Sequence, residues 1–581
     1  MSIINRRRKR QSKSANRSAY QSSTSIEYGS LEPRLALTTF VINSVADDVG
    51  GVLPGISLRE AIIAANTNAA FGNAPAGTSG DRIRFDPSIA GRILLLTGGE
   101  MPITDDLLIQ GAGSNITIDG NGNGIFRITT NEQVSFGSLT FIRGSAAVGG
   151  AIASVGGGTV VVTGSTFRAN AATGLGGGAI YHEVGKLYVT DSTFQNNQAT
   201  GGAGSGGAIL SASGLTSVRG GSMTVNIANR AGGAIEVIDG TFYAFDVIVG
   251  GDGGRGNSAG PVGSANPGNG GGLHVSGIAT VAINGGRFFG NFAAGEGGGL
   301  WNQVGSKMFI RSNALISNNV AAGSAADDGG GGVFNNGGSV YISTSSIVNN
   351  RANGPNGSGG GIFSTAGTVL VSASTLSGNV AARAGGGVEI IDGNLRFVDS
   401  IVSNNDAGIT LTAAPGIGGG LHVTGSLAFV VVSGGEFSNN RAFSEGGGLW
   451  NQNGSALFIR DGAVITKNST TGSISTGGGV YNLGYLSALD AVFSMNSTAQ
   501  IGGAIVNGAT GLMSVENTSF IQNASGVRGG AIYNFKIAKI LNSRFLSNLT
   551  SFSGGAWFTN LAGVTNQSGN TFSGNAPNNF N

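Results

Sequence analysis

Two short sets of side chains in this 581-residue chain could do chemistry: Glu236, His274 and Trp301, and Glu389, His422 and Trp450. A carboxylate can serve as base or cation ligand, an imidazole can move a proton near neutral pH, and an indole can stack on a sugar ring. The six belong to one longer series: Tyr181, Glu236, His274, Trp301, Phe334, Phe363, Glu389, His422, Trp450, Tyr481, Tyr533 and Phe558, with small or aliphatic residues at its other positions. Each follows the residue that closes a glycine turn, an aliphatic one in every case but Trp557 before Phe558. If the aliphatic residue points into a core, strand alternation sends the next one outward. On consecutive coils of a stacked array the two triplets would each form a line with steps of about 5 Å. Such a row reads in two ways. It can be a platform for sugar rings or a partner protein, or packing beneath loops and against its own neighbours.

The neighbourhoods of the triplets match. Residues 231–240 read AGGAIEVIDG and 384–393 read AGGGVEIIDG, while 297–303 and 446–452 both read GGGLWNQ. Asp239 and Asp246 find counterparts in Asp392 and Asp399. A block of about 150 residues is duplicated. As chemistry, the repeated carboxylate, imidazole and indole suit a saccharide or a cation. As history, duplication copies residues whether or not they work.

The elements that must position these residues come from one repeated unit. Its glycine turn reads GGAI at 149–152, 177–180 and 529–532 and GGGL at 297–300. The closing residues are Ile152, Ile180, Ile209, Ile235, Leu273, Leu300, Val333, Ile362, Val388, Leu421, Leu449, Val480, Ile505, Ile532 and Trp557, spaced by 25 to 38 residues. A glycine pair before an alternating segment is a tight turn feeding a strand. The second landmark is an apolar residue followed three places later by asparagine, as in Phe167/Asn170, Phe194/Asn197, Ile316/Asn319, Phe437/Asn440, Phe493/Asn496, Phe520/Asn523, Phe545/Asn548 and Phe572/Asn575. These asparagines are expected at corners, where the residue tolerates a left-handed backbone, and stacked from coil to coil as a ladder rather than as ligands. The fold class is all-β, a single-stranded parallel β-helix of about 15–16 coils, roughly 75 Å long.

Residues 38–127 differ from the array at 128–581. A strand at 40–42 precedes the capping box of Ser57, Leu58, Arg59 and Glu60, and Leu58, Ala61, Ile62 and Ala65 share one helical face. An open stack needs its end covered, and a helix of about ten residues suits that task. Arg59 is expected to pack in the cap or face solvent.

The string GISLREAI at 55–62, with DRIRF at 81–85 and ITIDG at 116–120, resembles the CSLREA domain, which heads many bacterial surface proteins with β-helix arrays. The family cysteine is replaced by Ile56. The GGAI turn with the F-x-x-N element resembles the repeat of bacterial polymorphic outer membrane proteins. That resemblance implies a right-handed, pectin-lyase-like parallel β-helix, a bacterial cell-surface, outer-membrane or secreted location, and adhesion. LEPRLAL at 31–37 looks like a short sorting motif of large exported bacterial proteins. Unlike the polymorphic proteins, this chain shows no C-terminal region with barrel patterning.

Other chemistries fit less well. β-Helices include polysaccharide lyases and glycoside hydrolases, the alternative to a non-enzymatic surface protein. Hydrolysis needs carboxylates clustered on adjacent coils, and lyase chemistry needs acids holding calcium beside an arginine base. The coil before Glu389, residues 353–384, contains no acid. The glycine-rich loop 250–260 has Asp252 but no GGxGxD repeat. Asp47, Asp48, Asp105, Asp106, Asp327 and Asp328 sit at turn-like positions and are expected to be solvated. With no cysteine and three histidines, no metal or other cofactor is expected.

Of 32 basic residues seven fall in the first 19 positions, leaving 25 against 30 acids in the rest. Arg6–Arg10 therefore reads as a disordered tail, residues 1–37, rather than a nucleic-acid arm, since no basic groove follows. No apolar run is long enough for a transmembrane helix. The partners expected are polysaccharide or surface proteins, bound by a monomer. A purely structural envelope role is the third reading.

Overall fold

The computed structural model describes residues 37–260, 268–325, 327–408 and 415–580. The basic run and all but the last residue of LEPRLAL lie outside them.

One coil shows the plan. Ile152–Ser154, Thr159–Thr163, Thr166–Arg168 and Ala171–Gly176 follow one another around the axis. Each pairs in parallel with its counterpart one coil on: Ile180–His182, Lys186–Thr190, Thr193–Gln195 and Gln198–Ala199. Repetition builds four ladders, here called the glycine-turn, long, phenylalanine and short sheets. The long sheet has 19 strands and the short sheet 15. The molecule is thus a parallel β-helix, as the repeat predicts. It has about 18 coils rather than 15–16. The additional coils come from the N-terminal region, where Thr39–Ile42, Asp81–Phe85 and Leu107–Gln110 already stack in the long sheet. They lack the glycine turn and so escape a count of it.

Alternation fills the interior. The aliphatic residues that close the glycine turns are almost all inaccessible, and Phe141, Phe167 and Phe194 stack with centroids 4.8 and 4.7 Å apart. Each such phenylalanine contributes about 2–3 kcal/mol by leaving water.

The asparagines form one unbroken ladder of fifteen from Asn170 to Asn575. The backbone N–H and Nδ2 of Asn350 both donate to Asn379 Oδ1, at 3.0 and 3.1 Å, and Nδ2 also reaches the Ile316 carbonyl at 2.9 Å. The expectation that these residues take the left-handed conformation is corrected. The residue before all but one of them takes it instead, as at Asn349 (φ 56°), Asn404 (φ 55°) and Lys467 (φ 55°). That twist turns the next side chain inward, where its amide replaces water for strand ends that would otherwise be unpaired.

Helix α1, Leu58–Thr67, carries the capping box. Ser57 Oγ accepts from the Glu60 amide at 3.1 Å, and Glu60 Oε2 accepts from the Ser57 amide at 3.0 Å. Leu58, Ala61, Ile62 and Ala65 are buried against the first coils, beside Thr39–Ile42 and Met101–Ile103. Arg59 is the cap-packing residue: it grips Asp47 through two bonds of 2.7 and 3.0 Å and donates to the Gly99 carbonyl at 2.6 Å. Asp47 is therefore not solvated. Burial pushes its carboxyl up, but Arg59 and the amides of Gly98 and Thr97 outweigh this and hold it below 3.8. Replacing Ser57 with Ala should cost about 1 kcal/mol. Hydrogen exchange should show faster amides at Ser57–Ile62 with the array unchanged.

Candidate functional site

The six residues singled out by type lie in one row on the glycine-turn sheet. In-register pairs run Glu236–His274, His274–Trp301, Trp301–Phe334, Phe334–Phe363, Phe363–Glu389, Glu389–His422 and His422–Trp450. The two triplets therefore sit end to end in one line, separated by two phenylalanines.

The row leaves the core side of its strands, as alternation requires, yet it is not exposed. Glu236 and Glu389 are inaccessible, and Trp301 and Trp450 are 6% and 8% exposed. Its cover is the segment entering each glycine turn. Ser358, Ala384, Ile417 and Glu445, each just before a turn, bridge in parallel from coil to coil. They form a low wall beside the row, and Trp450 packs against Ala384 and Ile417. The turn makes this approach possible. Gly385 has φ +60°, and a Cβ there would meet the Val388 carbonyl at 2.5 Å. At Gly386 a Cβ would meet the Asp406 backbone of the next coil at 2.5 Å.

The ring faces are consumed too. His274 stacks on Trp301 with centroids 4.4 Å apart, Trp301 on Phe334 at 6.0 Å, and Phe334 on Phe363 at 5.0 Å. His422 lies 4.7 Å from Trp450, which stacks on Tyr481 at 6.4 Å. Rings stacked along the axis show solvent their edges, so a sugar cannot lie flat on them. In these contacts the rings of the row pack on one another.

The polar groups close on one another. His274 Nδ1 donates to Glu236 Oε2 at 3.0 Å, and His422 Nδ1 to Glu389 Oε2 at 2.6 Å. Arg230 lies 3.3 Å from Glu236 and Arg383 4.0 Å from Glu389. Each arginine also donates to a serine, Ser205 at 2.9 Å or Ser358 at 3.0 Å. The indole N–H of Trp301 donates to Glu296 and that of Trp450 to Glu445, both at 2.9 Å. Each copy is therefore an Arg–Glu–His set beside a Glu–Trp pair. Asp239 and Asp392 serve turns, accepting from the Ile278 and Leu427 amides at 2.8 Å.

Arg230, Arg383, Glu296 and Glu445 were not singled out in the sequence. The signal was present: the arginine precedes each row glutamate by six places, and the glutamate precedes each tryptophan by five. Glu236 borders a crevice of about 170 Å³ with Arg230, Tyr181 and Leu210. Among the described residues no group of three or more His, Asp or Glu side chains is placed to hold a metal ion.

Burial, reinforced by Asp328 and Asp327, pushes Glu296 up from 4.5 to about 7 despite the bond from Trp301. A carboxyl raised on folding adds stability that is complete below about pH 4.5 and is lost as pH rises through about 7. Glu296→Gln should therefore match wild type near pH 4 and exceed it in melting temperature above pH 7. A pH-independent difference would refute the assignment.

No protein-family model matches the chain, and no curated protein matches it.

Proposed function

We propose that this chain is a non-enzymatic β-helical rod of the bacterial cell surface or exterior, making adhesive or envelope contacts through its outer face. One observation carries the reading: the side chains best suited to catalysis are buried, paired with one another, and locked the same way in both copies. A general base must reach its substrate's proton. Glu236 and Glu389 instead hold their own histidines. The resemblance of the repeats to polymorphic outer membrane proteins, and of the N-terminal region to CSLREA domains, supports the location and the adhesive role. Among the described residues no helix is long and apolar enough to cross a membrane.

A glycan array probed with the purified protein tests this reading. Binding to surface polysaccharides is expected, and it should survive Trp301→Phe plus Trp450→Phe, which keep the stack. Loss of binding in that variant, with melting unchanged, would return the site to the indole row.

A further inference from the structure

One outward face of the long sheet carries a group of aromatic residues, the exposed Phe429 and Tyr485 beside the half-buried Phe309, Tyr341 and Phe458. In Lys307–Arg311 the alternate residues Met308 and Ile310 are buried, so Lys307, Phe309 and Arg311 face out. The same register holds on the six strands that follow, to Tyr485–Leu489. Over these seven strands the outward residues include four bases, Lys307, Arg311, Arg396 and Arg460, and no acid.

The rings on this face form two groups, a stacked pair and a set of three tilted against one another. Phe309 and Tyr341 lie 5.0 Å apart at 15°, and Phe458 lies 5.1 Å from Phe429 and 5.7 Å from Tyr485. Between the groups the ring row is interrupted by Leu370, Arg396 and Val431. The interruption is a depression of about 460 Å³, lined mostly by apolar atoms, with Tyr341 at one end and Phe458 at the other. Tyr341 and Phe458 are four coil steps apart, about 19 Å. Two guanidinium groups border it. Arg396 is exposed and makes no hydrogen bond or ion pair among the described residues. Arg460 forms a partly exposed ion pair with Asp461 at 3.4 Å, and its Nε makes no hydrogen bond.

From this geometry we propose that the depression binds one segment of an anionic polysaccharide, a chain of carboxylate-bearing pyranose rings running along the helix axis. This rests on the reading of the rod as a contact surface, and adds where contact is made and with what. Leu370 and Val431 meet the C–H faces of the sugars, and Tyr341 and Phe458 bound the segment at its two ends. A pyranose ring is close to one coil step in length, and in a two-fold chain the carboxylates on one side recur every second ring. Arg396 and Arg460 are two coils apart along the axis, about 10 Å, with Arg460 two places further along its strand. Both guanidinium groups then pair with carboxylates on one side of one chain. A single-stranded nucleic acid fits less well, because its bases need successive free ring faces, and Phe309 and Tyr341 spend theirs on each other.

Affinity electrophoresis of the full chain through gels containing polygalacturonate, alginate or neutral dextran, with a parallel oligo-dT binding assay, tests the proposal. Wild type is expected to be retarded by a polyuronate, less so as salt rises, and not by dextran or oligo-dT. Arg396→Ala plus Arg460→Ala should weaken binding at least tenfold, as should Tyr341→Ala plus Phe458→Ala, with unchanged circular dichroism. No retardation by either polyuronate, equal retardation of wild type and the arginine variant, or tighter binding of oligo-dT would each overturn it. Such a failure leaves the non-catalytic reading standing, which only turnover overturns.

Discussion

Asn379→Ala should open the array at its middle. The Asn379 Oδ1 accepts from both the backbone N–H and the Nδ2 of Asn350, and its own Nδ2 donates to the Ile347 carbonyl and to Asn405. All of these groups are inaccessible to water. Alanine removes these four side-chain bonds and strips the Asn350 backbone N–H and the Ile347 carbonyl of their asparagine partner, while Asn405 Oδ1 keeps the backbone N–H of residue 379 and Asn350 Nδ2 keeps the Ile316 carbonyl. A buried group left unpaired costs about 1–3 kcal/mol, and partial relaxation brings the sum to about 3–5 kcal/mol. Coils contact only their neighbours, so the damage should be local. Limited proteolysis is expected to cut between Thr368 and Arg441 in the variant and not in wild type, while the N-terminal cap keeps its protection. Asn379→Asp should be as damaging at neutral pH, because it adds a charge and removes the donor. An alanine variant with wild-type protection would mean the ladder is incidental.

The second large effect is expected at the buried pairs. Glu389→Ala removes the acceptor of His422 Nδ1 and of the Thr424 hydroxyl, which donates at 3.1 Å. It also leaves the Arg383 charge beside an apolar strand. Breaking one side of a buried pair costs about 3–5 kcal/mol, whereas replacing both sides by apolar residues is often neutral. Glu389→Leu with His422→Leu should therefore recover most of the loss, since Arg383 can turn to solvent. A double-mutant cycle in urea reads the difference. If Glu389→Ala is silent, the pair is not holding this part of the coil.

The periodic part of the fold was legible in the sequence because its causes are local. A glycine that must hold a positive φ, an aliphatic residue that must point inward and an asparagine that must meet the next one recur at each coil. Within the cap, the Ser57–Glu60 box announces itself for the same reason. The burial of the Glu–His–Trp row was not legible. Alternation tells which way a side chain leaves the strand, but not what lies over it. The wall that covers the row is built from residues of no fixed type, Ser358, Ala384, Ile417 and Glu445 among them, because only their backbones pair. The long-sheet depression was hidden by the opposite circumstance. Tyr341 and Phe458 share one column of the repeat but are separated in it by Leu370, Arg396 and Val431, and Phe429 stands two places earlier in its strand, so the column does not show them as a group.

Central to the proposed function is the structural role of Glu236 and Glu389. The direct test is to incubate the wild-type protein with a panel of uronate and neutral polysaccharides and measure new reducing ends and unsaturated products over a day. No product above a protein-free control is expected for any polymer. Product formed by wild type and lost in Glu236→Gln plus Glu389→Gln, with the variant still folded, would contradict it and make the molecule a carbohydrate-active enzyme.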